Sequence, residues 1–205
     1  MLADTRENVT ISTPYNGLML HASAAALGGR AYLFSGPCGR GKSTHTRLWQ
    51  QTFGEAVQVF NDDKPALRRL DGRWYAYGTP WCGKDGINLN QKWPLDGICF
   101  LEKSQENRIR RLSAAEALPL ILAQTTYRLQ PHSMELLLAS LDSLLREIPV
   151  FLLENRPEEA AARLSFETMR RAAEEEDYET QRKLCSASGG RQLCRPRRRR
   201  SQRGF

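Results

Sequence analysis

The chain has 205 residues, of which 40% are apolar, and a formal net charge of +7. That is enough to bury a core in one domain with an appendage, and no apolar run approaches the roughly 20 residues of a membrane span, so the sequence predicts no membrane role. The charge is uneven: nine of the thirty Lys/Arg but one of the 23 acids fall in residues 179–205, leaving 21 bases against 22 acids in the body, so the basicity belongs to the tail. The opening residues Met1–Glu7 contain no apolar signal core. Five scattered cysteines (Cys38, Cys82, Cys99, Cys185, Cys194) form no Cys-x-x-Cys pair. A cytoplasmic protein with reduced thiols is the expectation.

Residues 1–17 are polar, with a short edge strand expected at Val9–Ser12 and a turn at Pro14–Gly17. Leu18–Ala26 reads as one strand, Leu27-Gly28-Gly29-Arg30 as a tight turn, and Ala31–Phe34 as a buried strand. That hairpin lays His21 beside whatever follows Phe34. Thr44–Phe53 is helical and stops at Gly54, and Val57–Phe60 is a short strand ending at Asn61-Asp62-Asp63-Lys64-Pro65. Asp71-Gly72 between Ala66–Leu70 and Arg73–Tyr77 predicts a hairpin. A glycine-rich loop, Gly78–Gly86, precedes a strand at Leu95–Leu101. The alternation of Arg108, Arg110 and Arg111 with Ile109 and Leu112 is read as either a solvated strand face or a phosphate contact.

From Ser113 the pattern turns helical. Ser113 with Glu116 forms a capping box; Leu137, Leu138, Leu141, Leu144, Leu145 and Ile148 recur at helical spacing over 133–147. Pro149–Leu153 is a short strand, and Asn155 with Glu158 predicts a second capping box opening a helix to about Glu176. Hairpins early and helices late give an α/β fold with α+β character and a mixed rather than an all-parallel sheet. The division expected is a domain over 1–177 and a basic tail over 178–205, which is too poor in apolar residues to offset its ordering entropy.

The chemistry centres on Gly36-Pro37-Cys38-Gly39-Arg40-Gly41-Lys42-Ser43, followed by Thr44, which fits G-x-x-x-x-G-K-[ST] without mismatch between a strand and a helix. Glycines let backbone N–H groups turn toward phosphate oxygens, and the helix N-terminus adds its positive dipole end. Lys42 is expected to reach the β/γ-phosphates and the Ser43 hydroxyl to hold Mg²⁺. Asp62 and Asp63, at a strand end after the loop's helix, are suited to metal binding and to taking a proton from an attacking hydroxyl; a plain polar turn is the alternative. His21 is read as either a satisfied core histidine or an orienting group beside the loop. His45 is expected to cap or pack, and His132 to lie in a surface turn. Within Gly78–Gly86, Lys84 is suited to neutralising a transferring phosphoryl group, and Pro80 and Trp81 to shaping an acceptor pocket.

Taken in order, His21-Ala22-Ser23, Phe34–His45, Asn61–Pro65 and Tyr77–Lys84 resemble the small HPr-kinase/phosphorylase-like proteins. These are related to the C-terminal domain of HPr serine kinase and, more distantly, to ATP-dependent phosphoenolpyruvate carboxykinase. The resemblance covers roughly residues 15–170 and implies a mixed-sheet P-loop kinase. It implies active-site roles for His21, Lys42 and Asp62, with Asp62 accepting the proton of a substrate serine and Ser43 binding Mg²⁺. The sequence departs from that family by offering no glutamate in Thr79–Lys84 and, in its 205 residues, no room for an extra N-terminal domain. Asp63 is therefore the candidate second metal ligand.

The function expected is an ATP- and Mg²⁺-dependent kinase acting on a hydroxyl of a peptide, a protein serine or a small molecule, with Asp62, His21, Lys42 and Lys84 catalytic. Self-association into a homo-oligomer is compatible with this reading. A nucleotide-binding regulator without efficient transfer is the first alternative. Nucleic-acid binding through Arg195 and Arg197–Arg200 is the second, disfavoured because no aromatic stacking platform accompanies the arginines.

Overall fold

A computed structural model describes residues 17–125 and 131–187. By backbone contacts the chain divides into two units, 1–173 and 174–205. The second holds the last helical residues, 174–187. The expected edge strand at Val9–Ser12 and the Arg195–Arg200 run lie outside the described residues.

The first unit is a nine-stranded mixed sheet with helices on both faces. Its elements are β1 (Gly17–Met19), β2 (Ala22–Leu27), β3 (Arg30–Ser35), α1 (Lys42–Phe53), β4 (Val57–Asp63), β5 (Ala66–Leu70), β6 (Arg73–Tyr77), β7 (Lys92–Lys103), β8 (Arg108–Arg111), α2 (Ala114–Gln124), α3 (Pro131–Glu147), β9 (Val150–Asn155) and α4, which begins at Glu159 and ends at Ala187. The strand order is β1-β5-β6-β7-β3-β2-β4, with β9 paired to β7 and β8 to β9. β7 joins the two halves of the sheet. Its first residues, Lys92–Pro94, pair antiparallel with β6, while Leu95–Phe100 pair parallel with β3 and Ile98–Lys103 parallel with β9.

Period-2 alternation divides the core. In β3, Ala31 and Leu33 face a cluster that includes Ile121 of α2 and Leu137, Leu141 and Leu144 of α3. Tyr32 and Phe34 face the opposite cluster, with Trp49 of α1 and Ala162 and Met169 of α4. The helical stripe read over 133–147 is the one that packs: Leu137, Leu141, Leu144 and Ile148 are buried, whereas Leu138 is exposed. The Asp71-Gly72 hairpin forms as expected, with φ of 50° and 78° at its two central residues, the signature of a type I′ turn. The Ser113–Glu116 capping box forms in full at the start of α2.

Four local expectations differ from the structure. His132, expected in a surface turn, lies in the first turn of α3. The single strand expected over Leu18–Ala26 breaks at Leu20 and His21, because β1 pairs with β5 whereas β2 pairs with β3 and β4. Asn155 does not cap a helix: it is the last residue of β9, its backbone oxygen accepts from Ser104 N, and α4 begins only at Glu159. The last helix runs to Ala187 rather than to about Glu176, so residues 178–187 are helical where an unstructured tail was expected. Continuing a helix adds one hydrogen bond per residue fixed, and the Ala/Glu/Arg/Lys-rich run Arg171–Lys183 has few residues that stop it. Arg108–Arg111 is a strand whose arginines at 108 and 110 pair with Glu106 and Glu116 at the exposed surface, which favours the solvated-face reading.

Candidate active site

The register of three adjacent strands builds the site. β2 runs between β3 and β4, antiparallel to both, so the C-terminal ends of β3 and β4 emerge together on either side of the start of β2. Ala22 pairs with Ser35 on one side and Asp63 on the other, and Ser23 pairs with Phe34 and Asp62. The phosphate-loop candidate leaves β3 directly after Ser35, and His21 precedes Ala22. Residues 41 positions apart in sequence thus meet at one sheet end.

The same alternation sends the two aspartates to opposite faces. Asp62 shares a row with Ser23 and Phe34 and faces α1, where the Ser43 hydroxyl donates to Asp62 Oδ1 at 2.9 Å. Ser23 and Thr46 hydroxyls are 2.9 Å apart on the same side. Asp63 lies in the next row. Its Oδ2 accepts from Lys64 Nζ at 2.7 Å, and its Oδ1 is 3.9 Å from His21 Nε2. Asp62 is buried and Asp63 half-buried.

The loop itself has the form of an anion cradle. Gly39 and Gly41 adopt φ of 79° and 96°, conformations that side chains disfavour, and Gly41 leads into α1 without any side-chain cap. The first N–H groups of α1 are therefore not taken up by a capping side chain. Lys42 Nζ folds back over the loop and donates to the carbonyls of Gly36 (2.8 Å) and Pro37 (3.3 Å). Burial lowers the Lys42 pKa, against the raising influence of Cys38, Asp62 and Asp63. Pro37, Cys38, Gly39, Arg40 and Thr44 are exposed, so the rim of the cradle is open.

His21 is held through both its backbone and its ring. Its backbone N–H donates to Gln124 O (2.8 Å), its carbonyl accepts from the Ser35 hydroxyl (2.9 Å), and its ring Nδ1 is 3.0 Å from Gln124 Oε1. Burial lowers its pKa, and Lys42 and Lys64 act in the same direction, opposed by the Gln124 hydrogen bond and Asp63. The ring is therefore neutral at pH 7.

The second glycine-rich segment does reach the site. Residues 78–91 run along β4: Gly83 N donates to Asp62 O, Asp62 N to Ile87 O and Leu89 N to Phe60 O. Asn61 Nδ2, buried, donates to the carbonyls of Thr79 and Trp81, both at 3.0 Å. A Cβ on Gly83 would lie 2.6 Å from Asp62 O, so the close approach requires glycine there. Arg47 of α1 pairs with Asp85 across the top of the loop. Trp81 and Leu89 are exposed. Lys84 is exposed too, and makes no hydrogen bond or ion pair with a described residue.

Behind the loop, His45 is 1% exposed and lies against Phe34, with ring centroids 4.5 Å apart. Its Nε2 is 3.0 Å from Ser165 Oγ, which also accepts from Trp49 Nε1 (2.9 Å) and donates to Ala162 O (2.9 Å). Burial pushes the His45 pKa down to about 3. His45 packs rather than caps, within the two readings the sequence left open.

Among the described residues no group of three or more His, Cys, Asp or Glu side chains converges as a self-sufficient metal cage. The donors present, a serine hydroxyl and an aspartate already within hydrogen-bond distance beside an uncapped helix start, fit a Mg²⁺ that takes the remainder of its shell from phosphate and water. Among the described residues no helix is long and apolar enough to cross a membrane.

The structure brings together His21, Lys42, Ser43, Asp62 and Asp63, which the sequence singles out. Sequence reasoning missed Gln124, 103 residues from His21, and it read Asn61 only as part of a polar turn. Gln124 sits in no motif, and Asn61 entered only as the first residue of the Asn61–Pro65 stretch. Only the packing of α2 against the β1–β2 break brings Gln124 to the site.

No family model and no curated protein matches the chain. Among solved structures, the HPr(Ser) kinase/phosphatase from Coxiella burnetii is similar at 14% identity and a TM-score of 0.47, over 81% of this chain and 97% of that one.

Proposed function

We propose that the chain binds a Mg²⁺–nucleoside triphosphate, ATP in the simplest case, and transfers the terminal phosphoryl group to a hydroxyl of a peptide, a protein serine or a small molecule. The observation that carries this reading is the Ser43–Asp62 hydrogen bond at the foot of an uncapped helix. A phosphate-loop serine paired with a strand-end aspartate is the donor set that P-loop enzymes use for magnesium. Bound there, the metal neutralises phosphate charge. Lys42 and the first N–H groups of α1 hold the phosphate oxygens, with Lys42 exchanging its bonds to Gly36 and Pro37 carbonyls for stronger charge-assisted ones.

This geometry favours a metal role for Asp62 in place of the proton-accepting role expected from sequence, and favours Asp63, paired with His21, for handling the acceptor's proton. Asp62 belongs with Ser43 on the metal side. Asp63, with His21, faces the side from which a hydroxyl acceptor approaches. Residues 78–91 run along β4 beside both aspartates, with Trp81 exposed for acceptor contact. Lys84 retains a role only if nucleotide or acceptor draws the exposed turn inward.

The test compares two variants using γ-labelled ATP, Mg²⁺ titration, and transfer to water and to a panel of serine peptides. Asp62→Asn is expected to raise the Mg²⁺ concentration needed by about tenfold or more, the loss of one charged ligand interaction at roughly 1.5–3 kcal/mol. Asp63→Asn is expected to bind Mg–ATP normally and to transfer about 100-fold more slowly. If Asp62→Asn binds Mg–ATP normally and Asp63→Asn transfers normally, the assignment returns to Asp62 as base. ATP left intact by the unmodified chain with every acceptor would favour the nucleotide-binding regulator instead.

A further inference from the structure

We infer that Gln124 is a positioning residue for phosphotransfer: it holds the His21 ring in one tautomer and one orientation, with the Nε2 lone pair turned toward Asp63 to receive the acceptor's proton. The inference rests on the phosphotransfer reading above, but its structural half can be tested without any turnover.

The chain sequence places His21 at the break between β1 and β2, where regular pairing stops. A residue at such a break has no ladder to hold it. Here Gln124, the last residue of α2, grips it twice: its carbonyl accepts the His21 N–H at 2.8 Å and its side-chain Oε1 lies 3.0 Å from Nδ1. Leu20 and Thr125 form an antiparallel bridge beside this contact, and Ser35 holds the His21 carbonyl from the phosphate-loop side. The ring is thus fixed between the end of α2 and the start of the cradle.

An amide oxygen only accepts hydrogen bonds, so the Nδ1 contact requires Nδ1 to carry the proton. In the neutral ring Nε2 then has a bare lone pair. It faces Asp63 Oδ1 across 3.9 Å, beyond hydrogen-bond reach. Two acceptors held apart in this way are suited to an O–H donor entering between them. In the step proposed, the acceptor hydroxyl loses its proton to Nε2 as its oxygen forms a bond to the γ-phosphorus. The bond from phosphorus to the leaving diphosphate oxygen breaks, and the Asp63 carboxylate faces the imidazolium. The other charges facing His21 are Lys42 and Lys64, both cationic, and with burial they keep the ring neutral beforehand. With the opposite tautomer the same ring would present an N–H toward the hydroxyl and could not take its proton.

The experiment uses the full chain with ¹⁵N-labelled histidine, His21 being assigned by comparison with His21→Gln. Nitrogen shifts report which ring nitrogen carries the proton, and γ-labelled ATP with Mg²⁺ reports transfer to water. In the unmodified protein the Nδ1–H form is expected. Gln124→Leu, which leaves the backbone bond intact, is expected to show a mixture of tautomers, to retain ATP binding within about twofold, and to slow turnover on the order of 10–100-fold through kcat. Gln124→Glu, which still accepts from Nδ1–H, is expected to restore both the signature and most of the rate. An Nε2–H form in the unmodified protein overturns the inference even if Gln124→Leu fails to fold. So does a Leu variant that keeps both the signature and the rate, or a Glu variant that restores neither. Absence of ATP turnover in the unmodified chain overturns the kinase reading alone, because the nitrogen shifts still decide the tautomer.

Discussion

The two sides of the phosphate-loop helix are built in opposite ways. Behind α1, Trp49 is fully buried among Tyr32, Phe34, Phe53 and Phe166, with ring centroids 5.0–5.8 Å apart, and the Ser165 hydroxyl is engaged with Trp49, His45 and Ala162. In front, His21, Asp63, Lys64 and Lys42 are partly solvated and pair at distances from 2.7 to 3.9 Å. Aromatic packing fixes the helix, while the looser polar side is left free to exchange partners. Removing a group behind α1 should therefore change stability, and removing one in front should change ligand binding or rate.

Trp49→Ala tests this most severely. It opens a large cavity and removes the Trp49 Nε1 hydrogen bond to Ser165, so a loss of about 3–5 kcal/mol is expected in urea unfolding. A small loss would mean that the rear side does not fix α1.

Next, Lys42→Ala is expected to weaken ATP binding by roughly 100-fold, the scale of two charge-assisted hydrogen bonds, while the melting temperature changes little. Measured by fluorescent-nucleotide titration beside a thermal melt, a change confined to stability would collapse the distinction between front and back.

The two histidines sharpen it further. His45 has a folded pKa of about 3 and an unfolded value near 6.5. Below 6.5 the unfolded chain binds a proton that the folded chain refuses. Stability should therefore fall with decreasing pH, by up to about 1.4 kcal/mol per pH unit, and the effect should level off near pH 3. His45→Gln should flatten that part of the stability profile and leave ATP affinity unchanged.

The smallest expected effect lies away from both sides. Ser113→Ala removes the α2 cap and should lower stability by about 1 kcal/mol. Hydrogen bonds from the Ser113 backbone N–H and hydroxyl, with Arg110, hold the Glu116 carboxyl at about 2, so the cap persists through mildly acidic pH. ATP binding should not change.

Much of this was legible without coordinates because the signals are local. Asp71-Gly72 dictates its own turn through positive φ, Ser113 and Glu116 satisfy each other across one helical turn, and the glycines of 36–43 announce a backbone curled for phosphate. The two adjacent carboxylates had to point apart, because successive strand residues do so. Where local signals were weak or competing, the reading failed. Asn155 and Glu158 have capping-box spacing, but β9 claims Asn155 for a ladder. Leu18–Ala26 has one strand's pattern, but two different neighbours divide it.

The sequence by itself thus determined that a glycine-rich loop of G-x-x-x-x-G-K-[ST] pattern, a histidine and an aspartate pair exist in a mixed sheet, since each is set by residues a few positions apart. Only the tertiary structure decided which aspartate meets Ser43, because that depends on which face of β4 packs on α1. It also decided that Gln124 grips His21, because a contact across 103 residues is set by how α2 docks against the broken strand rather than by any pattern along the chain.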